Sequence, residues 1–288
     1  MKDLNYQLSE MCRDNRDGSY STQATRSRIL DLIGNQLQTL RFRRMQASSL
    51  KPKHVDALLA HWREQGISTG TLKNRLSALR WWAKKINKPS IIARDNSVYG
   101  IGKRECVAKE SKAQELNEKK LLEISDPYVI LSIRLQAAFG LRREESIKFN
   151  PSYAVQHDHI KLKSSWTKGG RARSVPITNV DQRRLLEEVK ALARGGALIP
   201  PQLNYVKQLH RYEKQVRNAG LSRLHGLRHE YAQQRYLELT GWVCPVRGGL
   251  PSKELDPAQR TLDHKARTLI SSELGHARVS VAAVYLGR

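Results

Sequence analysis

The chain has 288 residues, enough for one large domain or two ordinary ones. Its 51 lysines and arginines against 27 acidic residues leave a net charge of +24, which repels itself unless a polyanion relieves it; because the basic residues run along the whole chain, nucleic acid is a better partner than an anionic membrane surface. No apolar run reaches the length of a membrane span, the start MKDLNYQLSE has no signal-peptide core, and three scattered cysteines (Cys12, Cys106 and Cys244) without a C-x-x-C pair argue against a disulfide framework or a zinc site and for a reducing cytoplasm.

Residues 1–20 are polar and predict a loose, flexible N-terminal arm. From Thr22 to Leu40, Ile29, Leu32, Ile33, Leu37 and Leu40 recur at the spacing of an amphipathic helix. KPKHVDALLAHWREQG carries Val55, Leu58, Leu59 and Trp62 on one stripe and stops at Gly66, and STGTLKNRLSALRWWAKKI repeats the pattern with Leu72, Leu76, Leu79, Trp82 and Ile86. Residues 21–92 therefore predict an all-α, basic domain. Lys73, Arg75, Arg80 and Lys84 lie off its buried stripe as candidate phosphate contacts, the bland alternative being a solvated face. The period is lost over 93–113, ARDNSVYGIGKRECVAKESKA, which reads as an interdomain linker.

The remainder, 114–288, predicts a mainly helical α+β domain. Helices are expected near Glu115–Ile124, from Pro127, over LRREESIKF, and at 180–194, 201–219, 226–239 and 262–274. HIKLK alternates like a strand, and WTKGGRARSVPI reads as a hairpin with Gly169-Gly170 as a two-residue turn, giving one small antiparallel sheet.

Chemistry-bearing residues cluster in this second domain. Arg142 and Glu145 stand three apart on one helical face, so the carboxylate can hold the guanidinium while its other donors face a phosphate. Lys168 immediately precedes the Gly-Gly turn. In LHGLRHEYA, His225 and Arg228 share a face near a helix start; His225 and His229 have the i,i+4 spacing of a zinc helix, but Gly226 follows where a glutamate belongs and no third ligand stands out, so no metal is expected. The chain ends ELGHARVSVAAVYLGR. On one unbroken helix His276 and Tyr285, nine residues apart, would point in opposite directions, so their cooperation requires a break, with Ser280 a suitable N-cap for a short last helix. Each of these features alone has an ordinary structural reading.

In order, an arginine after Gly140-Leu141, a lysine before a hairpin turn, H-x-x-R, L-G-H and a tyrosine nine residues on resemble the active site of the tyrosine recombinase (phage integrase) family, and TGTLKNRLSALRWWAKK resembles the last helix of that family's core-binding domain. The resemblance implies an N-terminal SAM-like core-binding domain and a catalytic domain of the tyrosine recombinase fold. It implies a site-specific DNA recombinase that cuts and rejoins strands through a 3′-phosphotyrosyl intermediate, for integration or excision of a mobile element, with no cofactor. Tyr285 would be the nucleophile, Arg142 and Arg228 the phosphate-binding pair, His225 and His276 hydrogen-bond partners assisting proton transfer, and Lys168 the general acid. Implied partners are double-stranded DNA at an attachment site, three further copies in a synaptic tetramer, and an accessory DNA-bending or directionality factor. Alternatives are a chromosome-dimer-resolving recombinase, a type IB topoisomerase-like enzyme, or a DNA-binding protein of the same fold without catalysis.

Two departures stand out. Residues 240–261 make the stretch between Arg228 and His276 long, and are expected to be a surface loop or an extra contact to DNA or a neighbouring protomer. Only Leu286, Gly287 and Arg288 follow Tyr285, from which a mobile terminal segment is expected.

Overall fold

The computed structural model describes residues 3–103 and 107–288. Met1 and Lys2 of the expected arm, and Arg104, Glu105 and Cys106 of the expected linker, lie outside the described residues. The chain divides into two compact units, Met1–Glu105 and Cys106–Arg288.

The first unit is helical: α1 (Leu4–Asp14), α2 (Tyr20–Thr39), α3 (Pro52–Glu64) and α4 (Thr69–Lys85). Asp3, Ser19 and Ser68 cap the starts of α1, α2 and α4 by accepting from backbone N–H groups that no helical carbonyl reaches. Trp62 and Trp82 fill the core, and each indole N–H is satisfied, by Gln36 Oε1 at 2.8 Å and by the Ala47 carbonyl at 2.8 Å. Three expectations need correction. The polar start is not a loose arm, because α1 buries Leu4 and Leu8 against the rest of the unit. The α2 stripe is also rotated: Leu30, Ile33, Gly34 and Leu37 are buried, whereas Leu32 is exposed. The first stretch of the expected linker is likewise ordered, with Ile92 and Ile101 in the core and Asn96–Tyr99 forming a 3-10 turn.

The second unit contains α5 (Glu118–Leu122), α6 (Pro127–Phe139), α7 (Arg143–Ile147), α8 (Pro151–Ala154), β1 (His159–Leu162), β2 (Arg173–Pro176), α9 (Val180–Ala193), α10 (Tyr205–Asn218), α11 (His225–Thr240), α12 (Pro257–Glu273) and α13 (Ala283–Leu286). The strands pair antiparallel, with His159 opposite Pro176 and Leu162 opposite Arg173. Gly169 and Gly170 both adopt positive φ as expected, but they sit in a longer loop, 163–172, that also holds a 3-10 turn at Ser164–Trp166. Phe139, Phe149, Ile160, Leu162, Val175, Tyr236, Ile270 and Leu274 form the main core under the sheet, and Tyr285 and Leu286 belong to it. The C-terminal segment is therefore packed, which overturns the expectation of a mobile terminus.

Two glycines let the backbone come close at the site's edge. Gly140 ends α6 in the left-handed region, and a Cβ there would lie 2.5 Å from Tyr231 Cδ1; Gly275 ends the α12 region at φ +68°, with Arg173 Cδ 2.9 Å from any added Cβ. Their turns aim the following Leu141-Arg142 and His276 at one place.

Candidate active site

Arg142 is the N-cap of α7, and Glu145 at N3 reaches back to it: the Arg142 N–H donates to Glu145 Oε2 at 2.7 Å and its Nη1 to Oε1 at 2.8 Å. Glu145 is fully buried and also accepts two bonds from Arg173, Nη1 to Oε1 at 2.8 Å and Nη2 to Oε2 at 2.7 Å. Burial alone would push the carboxyl up; the Arg173 bonds, with those from Arg142, overcome it and hold the pKa down at about 2. Arg173 is a site-building residue that the motif reading missed. Strand alternation contains its signal: Val175 faces the core, so Arg173, two residues earlier, does too.

Arg228, one turn into α11, is fully buried and donates through Nη1 to the Gly140 carbonyl and through Nη2 to the Leu274 carbonyl. The same Leu274 carbonyl accepts from Arg142 Nη2 at 3.2 Å, so one oxygen at the end of α12 brings the two guanidinium groups together. Burial pushes the Arg228 pKa down to about 10, which leaves it charged at neutral pH. Three guanidinium groups against the Glu145 carboxylate make the cluster net positive, as binding a phosphodiester requires.

Tyr285 lies beside this pair. Its hydroxyl is 3.2 Å from His276 Nε2 and accepts from Arg228 Nε at 3.3 Å. The chain does break between His276 and Tyr285, but Ser280 is not the cap: a 3-10 turn at Val279–Ala282 runs directly into α13, with no side-chain cap on either. His276 is held neutral, its pKa pushed down to about 4 by burial and then by Arg228 and Arg142. His225, the first residue of α11, is exposed at the rim, its ring 6.4 Å from that of Tyr285; desolvation at the rim, with Arg228 and Arg142 nearby, lowers its pKa. The His229 ring stacks obliquely on Tyr285 at 4.6 Å and meets His225 edge to face at 5.4 Å. Burial, then the charge of His225, pushes His229 down to about 4.

The structure thus gathers Arg142, Glu145, His225, Arg228, His276 and Tyr285. It does not gather Lys168, which stands exposed in the 163–172 loop and makes no hydrogen bond or ion pair among the described residues. In the first unit, Lys84 is exposed and Lys73 half-buried. Arg80 is engaged internally, donating to the Ala93 carbonyl at 2.9 Å and to Asn96 Oδ1 at 2.8 Å, while Arg75 lies over the Trp62 ring at 5.2 Å. Both of these arginines support the helical unit itself.

In a proton NMR titration, His229 and His276 are expected to keep neutral-form shifts from pH 8 to about 5 and to titrate near pH 4. The unfolded chain takes up those protons first, at about 6.5, so both residues withdraw stability as the pH falls from about 6.5 through 4. A His276 titrating above pH 6 would contradict the buried, cation-flanked setting.

A family model described as "Phage integrase, N-terminal" matches residues 1–89, and one described as "Integrase" matches residues 102–234. The second includes Arg142, Lys168, His225 and Arg228 and stops short of His276 and Tyr285. No curated protein matches the chain by sequence. Among solved structures, the XerH site-specific recombinase bound to a palindromic difH substrate in a post-cleavage complex aligns with TM-score 0.58 and 20% identity, covering 98% of this chain and 80% of that one. A lambda integrase dimer bound to a COC′ core site aligns with TM-score 0.60 and 15% identity, over 99% and 77%. The Tn1549 transposon integrase in complex with circular intermediate DNA aligns with TM-score 0.56 and 14% identity, over 100% and 96%. At these identities the likeness establishes a shared two-domain fold, and the two family models together span most of the sequence. The chain belongs to the phage integrase family of tyrosine recombinases, enzymes that recombine DNA at specific sites. Among the described residues, no helix is long and apolar enough to cross a membrane.

Proposed function

We propose that this recombinase cuts DNA with Tyr285 as nucleophile and serves the integration and excision of a mobile element. The observation that carries the reading is the Tyr285 hydroxyl set between His276 Nε2 and Arg228 Nε. In the cleavage step the tyrosine oxygen attacks phosphorus, the bond from phosphorus to the 5′ oxygen breaks, and a 3′-phosphotyrosyl ester forms. His276, neutral at physiological pH, accepts the phenolic proton. Arg142 and Arg228 donate to the non-bridging oxygens, where charge builds up. Lys168 gives its proton to the departing 5′ oxygen; since it stands on an exposed hairpin loop, this requires the loop to swing over the bound phosphate. Rejoining reverses the step with a 5′-hydroxyl from another strand, so the ester conserves the bond. Protein cations supply all the positive charge this reaction demands, and no metal is needed.

The family descriptions and the transposon integrase among the structural matches favour a mobile-element role. The lambda integrase matches, described as a dimer on a core site and a tetramer on a Holliday junction, favour assembly of four copies on paired DNA sites.

The test is to mix the protein in EDTA with nicked duplexes of randomised sequence, denature in SDS and recover protein-linked DNA. A covalent adduct is expected with the native chain and none above background with Tyr285→Phe, at unchanged DNA affinity. An adduct that survives Tyr285→Phe would remove Tyr285 from this role, and a native chain that binds DNA without an adduct would reduce the protein to a DNA binder.

A further inference from the structure

The stretch 240–261 is not a surface loop added to a finished domain. Cys244 and Leu255 are buried in it. Trp242 Nε1 donates to Tyr236 Oη at 3.2 Å, and Ser252 Oγ to Asp263 Oδ2 at 2.9 Å, so the segment is tied to both α11 and α12. From Pro257 onward it is already helix α12, started by a reciprocal cap between Asp256 and Gln259. Its 3-10 turn, Pro245–Arg247, packs directly under the end of the chain: a Cβ on Gly287 would lie 3.0 Å from the Val246 nitrogen.

Helix α13 has four residues, too few to stabilise itself; of its carbonyls, that of Ala283 accepts from the Gly287 N–H at 3.2 Å. Three other elements hold it. The Ala108 N–H donates to the Ala283 carbonyl at 3.0 Å, Gln233 Nε2 to the Tyr285 carbonyl at 2.9 Å, and Arg267 Nη1 to the Gly287 carbonyl at 2.8 Å. Of these, the Gln233 bond acts on Tyr285 itself. A glutamine amide can present either its oxygen or its NH2 group, and here the choice is made by the 245–247 turn. Arg247 Nε, which can only donate, points at Gln233 Oε1 from 2.6 Å, with Ser111 Oγ a second donor to the same oxygen at 3.0 Å. The NH2 group is thereby turned toward Tyr285. Glu230, paired with the Arg247 guanidinium, keeps that arginine in place.

Resting on the function proposed above, we infer that Arg247 and Gln233 are positioning residues. The 240–261 segment uses them to set the Tyr285 main chain from within the same protomer, so the nucleophile is in place before DNA arrives. Neither residue touches the reacting atoms; they act through the carbonyl of Tyr285.

Hydrogen exchange and cleavage test this separately. In the free protein, Arg247→Ala is expected to speed amide exchange at least tenfold in the peptide covering 279–288 while leaving α6 and the sheet unchanged. Gln233→Glu keeps an acceptor for Arg247 but sets a carboxylate oxygen against the Tyr285 carbonyl, and should loosen the same peptide. With duplexes recovered from the native adduct, both variants should form adduct about 10- to 100-fold more slowly at saturating DNA, because a displacement of about 1 Å has that effect on an oriented nucleophile. DNA affinity should stay within twofold, and Arg247→Lys should recover most of the rate. Unchanged exchange in the terminal peptide, or adduct formation within twofold of the native rate, overturns the proposal; so does an equal loss of rate and affinity. If the native chain forms no adduct, the reading of the site fails, and exchange still decides whether the latch exists.

Discussion

Arg228→Lys is expected to slow single-turnover DNA cleavage about 10³-fold while changing DNA affinity less than about threefold. An arginine that stabilises phosphoryl transfer contributes about 10³–10⁵ in rate, and a lysine keeps the charge but loses the planar fork of donors. That fork matters here because Arg228 spans the Gly140 and Leu274 carbonyls while reaching the Tyr285 hydroxyl through Nε. An ammonium cannot make all three contacts. A 10³-fold loss corresponds to about 4 kcal/mol of transition-state stabilisation. Affinity is insensitive because one phosphate contact is a small part of the electrostatic attraction between DNA and a chain of net charge +24. Arg228→Ala is the poorer experiment: it leaves the buried Gly140 carbonyl unpaired, at about 1–3 kcal/mol, takes from the Leu274 carbonyl the donor it shares with Arg142, and so mixes stability with catalysis. Equal losses in rate and affinity for Arg228→Lys would count against a role in the transition state.

The largest expected effect on stability comes from Glu145→Gln. Glu145 is fully buried and accepts from Arg142 and Arg173, so removing its charge leaves two guanidinium groups without their counter-ion, a change that typically costs about 3–5 kcal/mol. The effect has a pH signature. The Glu145 pKa is lowered to about 2 in the folded protein from 4.5, so its contribution is complete above about pH 4.5 and is lost as the pH falls toward 2. Its full size is on the order of 3 kcal/mol. Urea unfolding at pH 6 and pH 3 should show native and variant chains far apart at the higher pH and converging at the lower. A difference below about 1 kcal/mol at pH 6 would mean that the arginines find other partners. Cleavage should fall as well, since Glu145 orients Arg142.

Hydrophobic period and motif order were enough to read several features from the sequence. Leu58, Leu59 and Trp62, or Leu76, Leu79 and Trp82, face inward because a 3.6-residue repeat depends on nothing outside the helix. His225 and Arg228 share the start of α11 for the same local reason, and Gly140 marks the end of α6 because few other residues tolerate its backbone there. The rotation of α2 was not legible, since its 20 residues offer two overlapping apolar stripes and only packing in the folded unit selects Leu30 over Leu32.

The site shows the same division. The sequence determined which side chains with the right chemistry are present and in what order: guanidinium, imidazole, ammonium and phenol. Only the tertiary structure decided what each one touches. Arg173 meets Glu145 from 28 residues away, Gln233 meets Tyr285 from 52, and the Leu274 carbonyl takes Arg142 from 132. Those contacts join charged and polar groups: strand alternation can show that Arg173 faces inward, but which group it meets is settled only when separate elements pack. Lys168 is the converse case: its motif placed it with the others, and the fold leaves it exposed on a loop.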